Sequence, residues 1–434
     1  MKKVVFVIIA LQSLIVFSQS YTSYFTGNSS DIVAFPLGGS CLMGGATEDD
    51  EAMKWFLNRA NGGDILVLRA SGSNGYNNYF YSELGVTVNS VETIVFNNAS
   101  ASEEAYIHQK INQAEAIWIA GGNQWNYVSY WRNTAIDSLI NKAIAERNIV
   151  IGGTSAGMAI QGSYYFTAQN NTVTSAAALM NPFNNNVTVS GTPFLQIPFL
   201  SNVITDTHYD NPDRRGRHSV FLARILTDDG IQARGIACDE YTAVCVDENG
   251  IARVYGGHPN YDDNAYFIQV NCEIENNVPE TCSSGSPLTW NHGGAALKVY
   301  AVKGTSTGSN TLNLNDWQTG VGGEWQHWSV DNGVFSSVPG SAPNCSSSNL
   351  TTHRANQITL FPNPALDKVY LQSEDTPISM IQVYNSTGQE LMTIAANDAK
   401  HIEILVADLS TGIYFIRITS IHGEFWQKLQ KQAD

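Results

Sequence analysis

Ile149-Val150-Ile151-Gly152-Gly153-Thr154-Ser155-Ala156-Gly157-Met158-Ala159-Ile160 reads as an apolar strand, a sharp turn and the opening of a helix. Within it, Gly153-Thr154-Ser155-Ala156-Gly157 fits the pattern Gly-x-Ser-x-Gly. Glycines are needed there because a tight strand-to-helix reversal leaves no room for side chains around a strained central residue. Read this way, Ser155 projects above the end of a sheet as a nucleophile, and the Ala156 N–H, at the helix start, is placed to receive an oxyanion. A glycine-rich packing turn or a phosphate loop would look similar, but no Walker lysine follows.

Upstream of this stretch the same alternation repeats. Ile32-Val33-Ala34-Phe35, Ile65-Leu66-Val67-Leu68, Thr93-Ile94-Val95-Phe96 and Ala116-Ile117-Trp118-Ile119 read as short strands, and Asn148 to Ile151 as the fifth. Near-continuous apolar strands belong to a parallel sheet covered on both faces. Between them, residues 47–61 open on capping-box spacing (Thr47, Asp50) and carry Met53, Phe56 and Leu57 at helical intervals. Residues 136–146 repeat that period with Ile136, Leu139, Ile140 and Ile144. The expectation is a doubly wound α/β sheet, whose ligands lie beyond the carboxyl ends of the strands.

Downstream, the composition changes at Pro339 to Ser348, a run of turn and linker residues. Beyond it, residues 357–434 alternate short strands (368–372, 381–384, 401–405, 413–419) with turns, the pattern of a small β-sandwich. The expected division is a signal peptide over 1–20, a large domain over 21–338 with a β-rich extension from about 257, a linker over 339–356 and a β domain over 357–434. In the extension, Trp290, Trp317, Trp325 and Trp328 read as core rather than as a sugar site, and Asp262-Asp263 lacks a calcium-loop pattern.

With 434 residues, 43% of them hydrophobic and 10% aromatic, the chain is able to bury sizeable cores. Its net charge of −16 opposes phosphate backbones, which argues against nucleic acid and anionic membranes as partners. Met1-Lys2-Lys3, the apolar run Val4 to Phe17 and the small residues that follow have the grammar of a cleaved export signal. The run is too short to span a bilayer, covering about 21 of about 30 Å. In an exported chain the six cysteines meet oxidising conditions. Cys272 and Cys282 flank a polar turn and could close a hairpin, Cys238 and Cys245 are the next pair, and buried free thiols are the alternative. No cysteine spacing resembles a zinc site.

A serine nucleophile needs a base, and the base an orienting group. Among nine histidines, His208 stands out, since Ile204-Thr205-Asp206-Thr207-His208 follows an apolar run and precedes an arginine cluster. The acid is best sought in Gly235 to Val244, where Glu240 sits at a strand-to-turn position. The order Ser, His, acid differs from the Ser, acid, His of α/β-hydrolases.

These segments resemble peptidase family S51, the serine peptidases that include cyanophycinase and aspartyl dipeptidase. The resemblance covers about Asp31 to Val246 and lies in Ile151 to Gly157, Ile119-Ala120-Gly121-Gly122-Asn123-Gln124, Asp206-Thr207-His208 and Ile236 to Ala243. It implies a flavodoxin-like sheet of the class I glutamine-amidotransferase type, with Ser155 as nucleophile, His208 as general base and Glu240 as its orienter. It further implies an oxyanion hole from the Gly122 and Ala156 N–H groups and substrate contacts from Gln124, Asp206, Arg215 and Arg217. Arg214, Arg215 and Arg217 supply the family's arginine run after a longer spacer, and Thr207 stands where Gln is usual. The implied reaction is acyl transfer without metal or organic cofactor, on cyanophycin or related aspartyl peptides. A homodimer stays open. A surface binding protein on the same scaffold is the alternative.

The tail resembles the sorting domain of type IX secretion substrates in Bacteroidota. Leu360-Phe361-Pro362-Asn363-Pro364, Val383 to Leu391 and Asp408 to Phe415 match its three recurrent segments in order. This implies engagement with the type IX secretion machinery and a secreted or surface location.

Overall fold

The computed structural model describes residues 19–345, 358–373, 378–385, 389–420 and 423–432, which fall into two compact units, residues 1–344 and 345–434. Residues 1–18 of the expected signal peptide, residues 346–356 of the expected linker and the turn at Gly388 lie outside the described residues. Among the described residues, no helix is long and apolar enough to cross a membrane.

The first unit is built on a mixed sheet. Its strands include β1 (Tyr21–Gly27), β2 (Ser40–Met43), β3 (Asp64–Arg69), β4 (Ser90–Phe96), β5 (Ala116–Ile119) and β6 (Val150–Thr154), in the spatial order β1-β4-β3-β5-β6-β2. The five from β4 to β2 are parallel, and β1 closes one edge antiparallel to β4. The order 4-3-5-6 is the 2-1-3-4 of a flavodoxin-like sheet, with β2 filling the fifth slot. Ile65, Val67 and Trp118 bury with Met53, Phe56 and Leu57 of helix Asp50–Arg59. Leu66, Leu68 and Ile119 bury on the other face, with Ile107, Trp131, Ile140 and Ile144 from helices Ala105–Gln113, Gln124–Trp131 and Ala135–Arg147. Each strand is apolar at successive positions because both of its faces are covered.

Two local expectations are corrected. Residues 32–35 form no strand: Val33 is 85% and Phe35 79% exposed, and the strand in this position is β2, eight residues later. The helix cap is Asp49, whose carboxylate accepts the Ala52 N–H at 2.9 Å, and not Thr47; an oxygen at 49 reaches the orphan N–H groups because the helix begins at Asp50.

Beyond β6 the chain crosses to a second sheet. There β7 (Val203–Asp206) and β8 (Arg234–Cys238) run parallel, joined by helix Arg215–Asp229. The chain then returns through β9 (Ala243–Val246), which pairs antiparallel with β2, and β10 (Ile251–Tyr255). The second sheet continues from β8 through β11 (Asn264–Val270), β12 (Leu297–Lys303) and strands Gly323–Asp331 and Val334–Pro339. Trp290, Trp317 and Trp328 are buried, and Trp325 packs against the core, as read from their composition. Asp262 pairs with Lys303 at 2.7 Å.

Cys272 and Cys345 are disulfide-bonded, while Cys41, Cys238, Cys245 and Cys282 are free thiols. Neither local pairing forms. Cys238 faces the layer containing Leu42 and Val244, whereas Cys245 lies on the opposite face with Cys41.

The second unit holds two antiparallel sheets. One comprises Ile358–Phe361, Lys368–Ser373 and His401–Leu405, the other Ile378–Asn385, Glu390–Ala399, Gly412–Ser420 and Gly423–Lys431. Val369, Leu371, Ile381, Val383, Ile404, Ile416 and Ile418 share one core between them, which is the expected sandwich pattern.

Candidate active site

Ser155 occupies the turn between β6 and the short helix Ala156–Ala159, with φ 52° and ψ −114°. A Cβ at Gly157 would overlap the Ile119 carbonyl, so only glycine lets the helix approach the end of β5 this closely. The Ser155 N–H donates to Met43 O at 3.0 Å, which ties the Ser155 turn to the end of β2.

His208 lies just past β7 and Glu240 just past β8, both parallel strands ending on the side of Ser155. His208 Nδ1 stands 2.6 Å from Glu240 Oε1, and its Nε2 stands 2.8 Å from Ser155 Oγ. A carboxylate only accepts, so Nδ1 carries the proton and Nε2 presents its lone pair to the serine hydroxyl. Ser155, His208 and Tyr241 all adopt positive φ, 52°, 46° and 60°, a concentration of backbone strain that folds tolerate chiefly at sites.

Three residues that the sequence reading passed over hold this arrangement. Gly44 O accepts the His208 N–H at 2.9 Å, and Gly45 O accepts the Tyr241 N–H at 3.1 Å. Gly45 has φ 126°, and a side chain there would collide with the His208 ring. Asp210 Oδ1 accepts the Glu240 N–H at 3.1 Å. The available signal was Gly44-Gly45 directly after the apolar run Cys41-Leu42-Met43.

The Gly121-Gly122 turn runs beside Ser155, a Cβ at Gly121 falling 3.6 Å from Ser155 Cβ. Gly122 has φ 156°, and Ala156 is the first residue of the helix after Ser155. Gln124 opens helix Gln124–Trp131, and its amide donates to Phe166 O at 2.7 Å.

The arginine run does not act as expected. Arg217 is 3% exposed and donates to both oxygens of Asp206, at 2.8 and 2.5 Å, while its guanidinium lies over Phe166 and Phe221. Asp206 and Arg217 are therefore corrected from substrate contacts to a buried ion pair, because neither has a free charge to offer. Burial alone would raise the Asp206 carboxyl, but Arg217, with help from Arg214 and His218, holds it below the usual carboxylate range. The fork of Arg215 is taken by Asp213, at 2.9 and 2.7 Å. Arg214 donates to Thr207 O at 2.9 Å, fixing the backbone ahead of His208. Beside Glu240, burial raises the Asp239 carboxyl to about 7, helped by Asp210 and Asp263 and opposed by hydrogen bonds from Asn264. Among the described residues, no cluster of His, Cys, Asp and Glu has the geometry of a metal site.

A strand-end serine, a histidine bonded to it and a carboxylate behind the ring have the spacing that a Ser-His-acid triad requires, at the carboxyl ends of a doubly wound sheet. Residues 41–254 match the model of peptidase family S51, and residues 359–432 match that of the secretion system C-terminal sorting domain. The chain thus carries an S51 peptidase domain followed by a sorting domain of type IX secretion, which directs it to the cell surface or beyond. A cyanophycinase from Trichormus variabilis is 23% identical over 176 residues, 41% of this chain and 53% of that protein, so the chain spans about half the length of this relative. Among solved structures, a peptidase from an acI-B1 Actinobacterium aligns with TM-score 0.39 at 13% identity, covering 51% of this chain and 89% of the other. A putative peptidase E protein from Listeria monocytogenes EGD-e aligns with TM-score 0.33 at 15% identity, covering 51% and 98%.

Proposed function

We propose that this chain is a secreted serine peptidase of the cyanophycinase type, hydrolysing cyanophycin or related aspartyl (β-Asp-Arg-like) peptides through an acyl-enzyme. The observation that carries this reading is the unbroken chain of hydrogen bonds from Glu240 through His208 to Ser155 Oγ. His208 takes the Ser155 proton as Oγ attacks the amide carbonyl, and Glu240 stabilises the imidazolium that forms. The Gly122 and Ala156 N–H groups receive the oxyanion. His208 then protonates the leaving amine, and water, activated by the same ring, releases the acyl group.

The substrate class rests on the S51 match and on the activity named for the T. variabilis relative. One observation favours the other reading, a non-catalytic binding protein: Arg215 and Arg217 are already paired and leave no free fork for a substrate carboxylate. Incubating the protein with cyanophycin and a panel of α- and β-aspartyl peptides, beside Ser155→Ala, separates the two. Peptide release by the wild type alone is expected. Two folded proteins that leave every substrate intact would overturn the peptidase reading.

A further inference from the structure

Cys41 lies in β2 and Cys245 in β9, directly opposite each other in the antiparallel register, with both thiols fully buried and their sulfurs 3.5 Å apart. Their place in the ladder favours a covalent link. The Gly44 N–H donates to Thr242 O, so 44 and 242 form a hydrogen-bonded pair. Hydrogen-bonded and non-hydrogen-bonded pairs alternate along an antiparallel ladder, which makes 41 and 245 a non-hydrogen-bonded pair, the kind whose Cα atoms lie closer, at about 4.5 Å. That spacing falls within the range a disulfide spans, about 4.4 to 6.8 Å. Cys238, the other fully buried thiol, lies on the opposite face of the sheet and does not compete.

The second argument is where the chain goes. A sorting domain sends it out of the reducing interior, and exported chains meet disulfide-forming conditions. We propose that Cys41 and Cys245 are oxidised to a cross-strand disulfide in the exported protein. The thiolate of one cysteine attacks an external disulfide, of a small molecule or a donor protein, and expels one thiolate. The second cysteine then attacks the mixed disulfide and expels the other. The two chain thiols lose two electrons and two protons, and the oxidant leaves as two thiols. Because both sulfurs are inaccessible in the native fold, exchange takes place while β2 and β9 are still coming together. The link then locks the strand from which Ser155 and His208 hang, through Met43 O and Gly44 O, to the strand that follows Glu240. This inference rests on the ladder and the destination, not on the catalytic reading.

The test uses the full chain collected outside the producing cells, denatured with iodoacetamide present and reductant absent, then digested and mapped by mass. The expected result is Cys238 and Cys282 alkylated, with Cys41 and Cys245 recovered in one linked peptide that parts on reduction. Alkylated Cys41 and Cys245 in separate peptides would overturn the proposal, as would a link from either of them to Cys238 or Cys282. A parallel sample refolded in a glutathione redox buffer, mapped in the same way, is expected to yield the same linked peptide.

Discussion

Gly45 carries no chemistry, yet the His208 ring lies against it so closely that no side chain fits between. Replacing it with alanine is expected to push the ring away from Ser155 Oγ. Displacements of this size cost about 10²-fold in rate. For Gly45→Ala we therefore expect kcat to fall by about that factor with KM little changed, measured on whichever peptide the wild type cleaves. An unchanged kcat would show that the ring is positioned by other contacts. Ser155, His208 and Glu240, which the structure brings within hydrogen-bonding reach of one another, were singled out in the sequence by the Gly-x-Ser-x-Gly turn, by strand-to-turn positions and by the resemblance to family S51. Gly45 was not, because its role depends on a ring contributed from 163 positions further along the chain. The misreading of Arg217 has a related cause. An arginine run looks alike whether it faces a substrate or a buried aspartate, and only the depth of Asp206 at the end of β7 decides between them.

At the scale of elements, the beginning of the sheet shows what periodicity leaves open. Ile32-Val33-Ala34-Phe35 and Cys41-Leu42-Met43 are both short apolar runs, and propensity favours the first, which is β-branched and aromatic. The second forms the strand because only there do β6 on one side and β9 on the other supply hydrogen-bonding neighbours, a tertiary fact. The helix that follows can be tested at its cap. Asp49→Ala is expected to lower stability by about 1 kcal/mol, seen as a lower denaturant midpoint at constant slope. Thr47→Ala should leave the midpoint within a few tenths of a kcal/mol, and the reverse ranking would restore Thr47 as the cap. The strands read at 65–68, 93–96, 116–119 and 148–151 and helix Ala135–Arg147 followed the sequence pattern closely, since two buried faces and a helical stripe leave strong periodic marks, whereas the edge strand Tyr21–Gly27 was not read.

For the whole molecule, buried ionisable groups tie folding to pH. Burial raises the carboxyls of Asp239 and Glu115 to about 7. Their preference for the protonated folded form stabilises fully below the unfolded values, near 4, and is lost as pH rises through 7. Burial lowers His218 to about 4, so its contribution is present above about 6.5 and lost as pH falls towards 4. Two carboxyls against one imidazole leave a net proton uptake on folding over this window, and acidification also relieves the self-repulsion of a chain with net charge −16. Stability is thus expected to rise by on the order of 2 kcal/mol from pH 8 to about pH 5. Below about pH 4 it falls again, as Asp206 takes up a proton and Arg217 loses its partner. Thermal melts across this range provide the check, and a maximum on the alkaline side would contradict it. The pairing of β2 with β9 has one more consequence, in time rather than energy. It joins positions 204 residues apart, so the cradle for His208 cannot close until the chain has been made as far as Val246 and the two strands have met. Until those strands meet, Ser155, His208 and Glu240, which lie 53 and 32 residues apart along the chain, are not held in one place.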